Sequence, residues 1–178
     1  MNEIIVKDKK FSVSISANEI EKSVKNLADK INADYNGKEI CFIGILNGVF
    51  MFAADLMKNI KVPCTISFVK VASYEGTSST GVVKELIGLN ADISGKDVVI
   101  IEDIVDTGFT MKNIRRQLLQ HSPKSLKIAT FIFKPDSFRE DFPVDYYGFS
   151  LPNDFIVGYG LDYDGYGRNL PEIYTLIK

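Results

Sequence analysis

Three acids, Glu102, Asp103 and Asp106, close the apolar run in VVIIEDIVDTGFT, and the chain then switches at once to Thr107, Gly108, Phe109 and Thr110. Carboxylates accept hydrogen bonds from paired hydroxyls, or hold a hard cation such as Mg²⁺ through its water shell. The threonine-glycine segment has the opposite preference. A helix beginning near Phe109 leaves its first N–H groups unpaired, and the hydroxyls of Thr107 and Thr110 can join them around an anion. Gly108 is read here as the residue without Cβ that lets backbone approach a phosphate closely. Acids and an anion site repel the same ligand, so one molecule serving both must have two faces. A phosphate at one end and a vicinal diol at the other describe a ribose 5-phosphate. Two other readings stand beside this one. The acids can be a solvated loop with Thr107 as a helix cap, and Asp-Thr-Gly also occurs in aspartic proteases, which need paired aspartates on two β-lobes or two subunits.

The elements that must position these groups follow from periodicity. Ile20, Val24, Leu27, Ile31 and Tyr35 recur at helical steps, with Asn18 and Glu21 resembling a capping box and Gly37 as the stop. ICFIGIL is a short continuous apolar run, suited to a strand covered on both faces. Asn47-Gly48 then turns the chain, and Phe50, Ala53, Met57 and Ile60 keep helical spacing, so the turn joins strand to helix. A second strand over 65–71 enters SYEGTSSTG, a polar loop with two glycines, and VVKELIGL reads as the strand returning from it. Residues 98–101 form the next strand, and Met111, Ile114 and Leu118 the buried stripe of the next helix, ended by HSP. Strands near LKIATFIF, DYYGFSL and FIVGYG complete the pattern. This alternation predicts an α/β fold, a mostly parallel, doubly wound sheet flanked by helices. In such sheets ligands sit beyond the carboxyl ends of the strands, where the loops at 47, 73 and 103–108 gather.

Length and composition limit the alternatives. A chain of 178 residues, 46% hydrophobic and 25% charged, suits one domain spanning 1–178. A net charge of −2 leaves no electrostatic footprint for a nucleic-acid backbone. Cys41 and Cys64 are far apart within apolar stretches and read as core residues of a reducing compartment. The start, MNEIIVKDKK, lacks the apolar centre of a secretion signal, and CFIGILNGVFMFAADLM is interrupted by Asn47, Gly48 and Asp55, so neither export nor a membrane span is expected. His121 reads as a helix C-terminal residue without a catalytic part.

VVIIEDIVDTGFT resembles the phosphoribosyl-diphosphate signature of the type I phosphoribosyltransferases. LNGVFMF, SYEGTSSTG, FKPD and DFIVGYGLDYDGYGRNLPEIY lie in the order found in the hypoxanthine-guanine members, and the resemblance runs from about Ile40 to Tyr174. It implies the type I fold, with a small hood built from the N- and C-terminal segments. It also implies transfer of the 5-phosphoribosyl group from phosphoribosyl diphosphate to N9 of hypoxanthine or guanine, releasing pyrophosphate in purine salvage, with Mg²⁺ as cofactor.

The same resemblance assigns roles. Glu102 and Asp103 hold the ribose hydroxyls and the metal, and Asp106, Thr107, Gly108, Phe109 and Thr110 form the 5-phosphate loop. Asp106 is the general-base candidate at purine N7. Leu46, Asn47, Gly48 and Val49 match the loop whose backbone binds pyrophosphate, and Arg168 a pyrophosphate contact. Lys134 matches the lysine near the exocyclic O6, Phe155 the ring stacked on the purine, and Ile156 the residue whose backbone reads its edge. Asp162 matches a Mg²⁺-side and purine-edge position, and Ser73 and Tyr74 begin a mobile lid. Asn47 departs from the Lys or Arg common in relatives, and Phe109 from a polar or basic residue. A cytoplasmic homodimer or homotetramer is expected, without nucleic-acid or membrane partners. By pattern alone, Phe155 and Ile156 also fit a core, and Lys134 a solvated strand end. The alternative function is an RNA-binding regulator on the same fold.

Overall fold

A computed structural model describes residues 3–74 and 83–177, with the side chains of 72–74 and 83–87 outside that description. In chain order the elements are β1 (Glu3–Val6), β2 (Lys9–Ile15), α1 (Ala17–Asp34), β3 (Ile40–Leu46), α2 (Phe50–Asn59), β4 (Cys64–Tyr74), β5 (Val83–Ile87), β6 (Asp97–Val105), α3 (Phe109–Leu119), β7 (Ser125–Phe133), β8 (Tyr146–Ser150), β9 (Ile156–Val157) and β10 (Ile173–Leu176).

The larger sheet has the order β5-β4-β3-β6-β7-β8, parallel throughout except for β5, which returns antiparallel to β4. Its central strands are apolar on both faces because both are covered. Phe42, Val99, Ile101 and Phe131 pack with residues of α1 and α2. Ile43, Ile45, Ile100 and Ile128 pack with Met111, Ile114 and Leu118 of α3. From β3 the chain crosses through α2 to β4, and from β6 through α3 to β7 in the opposite direction. The expected doubly wound sheet is therefore present, with its switch point between β3 and β6, where the carboxyl ends of two strands leave a crevice.

A second sheet, β1-β2-β10-β9, is antiparallel and joins the two ends of the chain as the expected hood. Its core is Val6, Phe11, Val157 and Tyr174. The β1–β2 hairpin is absent from the periodicity reading because no Asn-Gly or Asp-Gly announces its turn; Lys7 takes the left-handed conformation instead, at φ 55°.

Other expectations are corrected in detail. The first helix is capped by Ser16 and Glu19, not by Asn18 and Glu21. Ser16 has the extended backbone of an N-cap and its hydroxyl accepts the Glu19 N–H at 3.4 Å, while Glu19 accepts the Ser16 N–H at 2.9 Å. The buried face of α2 is Phe52, Ala53 and Leu56, whereas Phe50 is exposed and Ile60 already lies past the helix end. Of FIVGYG only Ile156 and Val157 are strand, because Gly158, Tyr159 and Gly160 all take positive φ. Strand β6 continues through Val105, so Glu102 and Asp103 lie in the strand and not beyond it. Among the described residues no helix is long and apolar enough to cross a membrane.

Loss of the α1 capping box is expected to be measurable: Ser16→Ala lowers the unfolding free energy by ~1 kcal/mol in urea titration. An unchanged midpoint would show that the Ser16 hydroxyl adds nothing to that helix end.

Candidate active site

The register shows how a cleft opens. Pairing between β3 and β6 runs from Ile40–Asp97 to Gly44–Ile101 and then stops, while β6 keeps pairing with β7 out to Val105–Phe133. Beyond Ile101 the two central strands part. Into that gap β6 sends Glu102 and Asp103, β3 delivers the loop Leu46-Asn47-Gly48, and the turn into α3 brings Asp106 to Thr110. All border one cavity of about 390 Å³, which Asp162 and Arg168 also line; Phe109 alone of that turn is not on its wall. The peptide between Leu46 and Asn47 is cis.

The acid pair is packed tightly. Glu102 is buried and Asp103 half-buried, and neither forms an ion pair among the described residues. Burial pushes the Glu102 carboxyl well above the usual carboxylate range, and the neighbouring Asp103 charge adds to that. Burial also raises Asp103, opposed by hydrogen bonds from Glu102 and the Ile104 N–H and by the charge of Arg168. The Ile104 N–H donates to Asp103 Oδ1 at 2.8 Å. A Cβ on residue 48 would lie 1.5 Å from Asp103 Oδ2, so Gly48 is what allows loop and carboxylate to share this space.

At the other end, α3 begins at Phe109 with Gly108 as its N-cap, at φ 85°. The Phe109 N–H donates to Thr107 Oγ1 at a long 3.4 Å. With no side-chain cap closing the helix start, this turn presents backbone donors and the positive end of the helix dipole. The structure adds a second reason for Gly108. A Cβ there would meet Phe138 and Glu140 at 2.6 and 2.8 Å, so the glycine is required by its left-handed backbone and by what packs behind the loop.

The purine-side candidates lie next to this cavity rather than on its wall, Asp162 excepted. Lys134 is buried, and its ammonium reaches Asp106 Oδ2 at 3.6 Å, Asn153 Oδ1 at 3.3 Å and the Asp154 carbonyl at 2.9 Å. It thus ties the helix-start loop to the segment carrying Phe155 and Ile156. The Phe155 ring is 45% exposed, with Tyr163 edge-on at 5.7 Å and Phe11 at 6.1 Å. A ring fixed on two sides and open on a third can act as a platform. Ile156 is buried and pairs with Thr175 of β10.

Asp162 is engaged already: Arg168 Nη2 lies 2.6 Å from Oδ1, and the Gly165 N–H donates to Oδ2 at 2.6 Å. Arg168 also donates to the Gly160 carbonyl at 2.8 Å. The described residues contain no group of three or more metal-ligating side chains, so Asp162 does not join Glu102 and Asp103 in one cluster. A magnesium ion is commonly held by one or two carboxylates together with substrate phosphates and water, and the unpaired, desolvated Glu102–Asp103 couple fits that donor set. The backbones of Ser73 and Tyr74 end β4, and the rest of the expected lid, 75–82, lies outside the described residues. Sequence reasoning passed over Asn153, which helps hold Lys134, and Arg139, whose N–H donates to the Thr107 carbonyl at 3.1 Å. Nothing in their residue types marks either.

Comparison with known proteins adds an independent line. Residues 14–164 match the family model of the phosphoribosyl transferase domain. The chain is 42% identical over 173 residues to the hypoxanthine-guanine phosphoribosyltransferase of Aquifex aeolicus, covering 96% of this chain and 97% of that one. It is 43% identical to the hypoxanthine phosphoribosyltransferase of Salmonella typhimurium, covering 93% and 94%. A crystal structure of a hypoxanthine-guanine phosphoribosyltransferase from Bacillus anthracis superposes with a TM-score of 0.86 at 38% identity, covering 93% of this chain and 98% of that one.

The buried acid pair predicts a pH signature. Both carboxyls are raised in the folded chain, so the folded state holds protons that the unfolded state has lost. Their stabilising effect is complete below the unfolded values of 4.5 and 3.8 and disappears as pH rises through the folded values. With divalent metals chelated, Glu102→Gln is therefore expected to stabilise the chain at pH 8 by ~0.5–2 kcal/mol, and by less at pH 5. Urea titrations showing the same or a larger gain at pH 5 would contradict the raised carboxyl.

Proposed function

Because the chain belongs to the phosphoribosyltransferase family, we propose that it transfers the 5-phosphoribosyl group of phosphoribosyl diphosphate to N9 of hypoxanthine or guanine. The products are IMP or GMP and pyrophosphate. The observation that carries this reading is one cavity bordered by an acid pair on one side and an uncapped helix start on the other, a shape that suits a sugar phosphate.

In this reading the 5-phosphate sits on the backbone donors of 106–110, with the Thr107 and Thr110 hydroxyls. Glu102 and Asp103 accept hydrogen bonds from the ribose 2- and 3-hydroxyls. Magnesium, when bound by this pair, supplies charge that neutralises the donor and its pyrophosphate leaving group. The backbone of 46–49 and Arg168 hold the pyrophosphate. Asn47 brings no charge to that loop, which shifts the work to N–H groups and to Arg168. Phe109 lies outside the cavity wall, so the departure there concerns the backbone donor alone.

The purine stacks on Phe155, with Lys134 toward O6, the Ile156 backbone along the base edge, and Asp162 supporting Arg168. Asp106 accepts the N7 proton as N9 forms its bond to C1 of the sugar and the C1–O bond to pyrophosphate breaks. The Lys134 ammonium at 3.6 Å keeps the Asp106 carboxylate beside the base. Ser73 and Tyr74 begin the lid, whose part is to exclude water from the cationic sugar. The protein works in the cytoplasm as a homodimer or homotetramer. The RNA-binding alternative draws no support from the relatives, which are named as transferases.

Incubation with phosphoribosyl diphosphate, Mg²⁺ and each purine in turn tests the reading: nucleotide and pyrophosphate appear in equal amounts with hypoxanthine or guanine. Absence of nucleotide from all purines would refute it. Asp106→Asn is expected to lower kcat ~10²- to 10⁴-fold with little change in the KM of the sugar donor. An equal loss of donor affinity would make Asp106 a binding group. Phe155→Ala removes a stacking contact of ~1–3 kcal/mol and raises the purine KM about 5- to 150-fold. An unchanged purine KM would return the ring to the hood core.

A further inference from the structure

Past the end of β7 the chain doubles back along the loop that leads into α3. The Lys134 N–H donates to the Val105 carbonyl at 2.9 Å, and the Arg139 N–H to the Thr107 carbonyl at 3.1 Å. Between these anchors the N–H groups of Ser137 and Phe138 both donate to the Lys134 carbonyl at 3.2 Å, forming a tight turn. That turn lays Phe138 and Glu140 against Gly108, on the side where any other residue would carry its Cβ.

Neither side chain borders the cavity, so both act on the loop from behind. Phe138 is itself fixed: Phe133 and Phe142 stand edge-on to it, each at 5.4 Å, and the Arg115 guanidinium lies 4.8 Å over the Phe142 ring. Glu140 is held by Lys112 in the first turn of α3, at 2.8 Å, with its side chain only 11% exposed. Gly108 needs such backing. At φ 85° it occupies a conformation that glycine enters and leaves freely, and the donors on either side of it must converge on one anion.

We infer that Phe138, assisted by the stem of Glu140, is a positioning residue that keeps loop 106–110 in its anion-binding shape. The inference rests on the proposed transfer reaction and deepens it. The turn that places Lys134 beside Asp106 also braces the phosphate side, so one short segment aligns both halves of the site.

Steady-state kinetics with each substrate varied in turn test this. Phe138→Ala is expected to raise the KM of phosphoribosyl diphosphate about tenfold, while the hypoxanthine KM stays within about twofold, since the misplaced backbone donors are those that hold the sugar phosphate. Phe138→Leu, which restores most of the lost volume, returns the donor KM to within about threefold of wild type. A donor KM unchanged in Phe138→Ala, or equal rises for both substrates, overturns the inference. Should Phe138→Ala fail to fold, Phe138→Val, which removes the ring but keeps part of its volume, decides instead: a donor-specific rise supports the role, and an unchanged donor KM overturns it. Wild-type protein that forms no nucleotide refutes the transfer reading itself and this inference with it, an outcome distinct from wild-type turnover with an unaffected variant.

Discussion

Two adjacent carboxylates desolvated at the point where β6 parts from β3 set the terms for everything around them. Burying like charges side by side is unfavourable, and the described residues offer no ion pair to offset it. What compensation exists is partial: the hydrogen bonds from Glu102 and the Ile104 N–H on Asp103, the Asp103 N–H on Glu102, and the more distant charge of Arg168. A pair left so poorly compensated is matched by a ligand that brings hydroxyl donors or a cation. The same crowding explains Gly48, since Asp103 Oδ2 takes the volume that a side chain on the facing loop would need.

The hood shares the core of the large sheet, where Ile15, Ile156, Tyr159, Leu161 and Ile173 pack in one cluster with Phe52 and Phe131, and it also meets this crevice through backbone. A Cβ at Gly160 would lie 1.9 Å from the Gly48 carbonyl, so the hood turn rests directly on the loop after β3. Arg168 holds that turn through the Gly160 carbonyl and Asp162. The Tyr159 hydroxyl donates to Asp55 of α2 at 2.8 Å, below the same loop. The C-terminal segment thus helps shape the wall of a cavity whose acids come from the middle of the chain.

Periodicity in the sequence suffices for the parallel sheet, because strands covered on both faces read as unbroken apolar runs, whereas the strand order that puts the switch point between β3 and β6 is visible only in the fold. It also brought Glu102 to Thr110 to one end of that sheet. Ligand roles for Lys134, Phe155, Ile156, Asp162 and Arg168 came from resemblance, because their arrangement depends on how the hood lies on the sheet, and no local pattern encodes that. The hairpin of residues 3–15 was missed since Lys7 occupies a turn position usually marked by Gly or Asn. The brace behind Gly108 was also invisible: Phe138 and Glu140 lie about thirty residues away in sequence, and their contact with the glycine exists only once the turn after β7 forms. Gly108 is thus required by a left-handed backbone and by the packing behind it, apart from any approach of a phosphate.

In the proposed reaction a single sugar phosphate bridges the acid pair and the start of α3. Calorimetric titration of phosphoribosyl diphosphate into the wild type and into the Glu102→Gln/Asp103→Asn double variant, each with and without Mg²⁺, tests it most directly. The account predicts that the variant binds the donor at least about tenfold more weakly and loses the response to Mg²⁺, while a simple phosphate monoester without the diol binds both proteins alike. Donor binding of equal strength and equal Mg²⁺ dependence in the two proteins would contradict it.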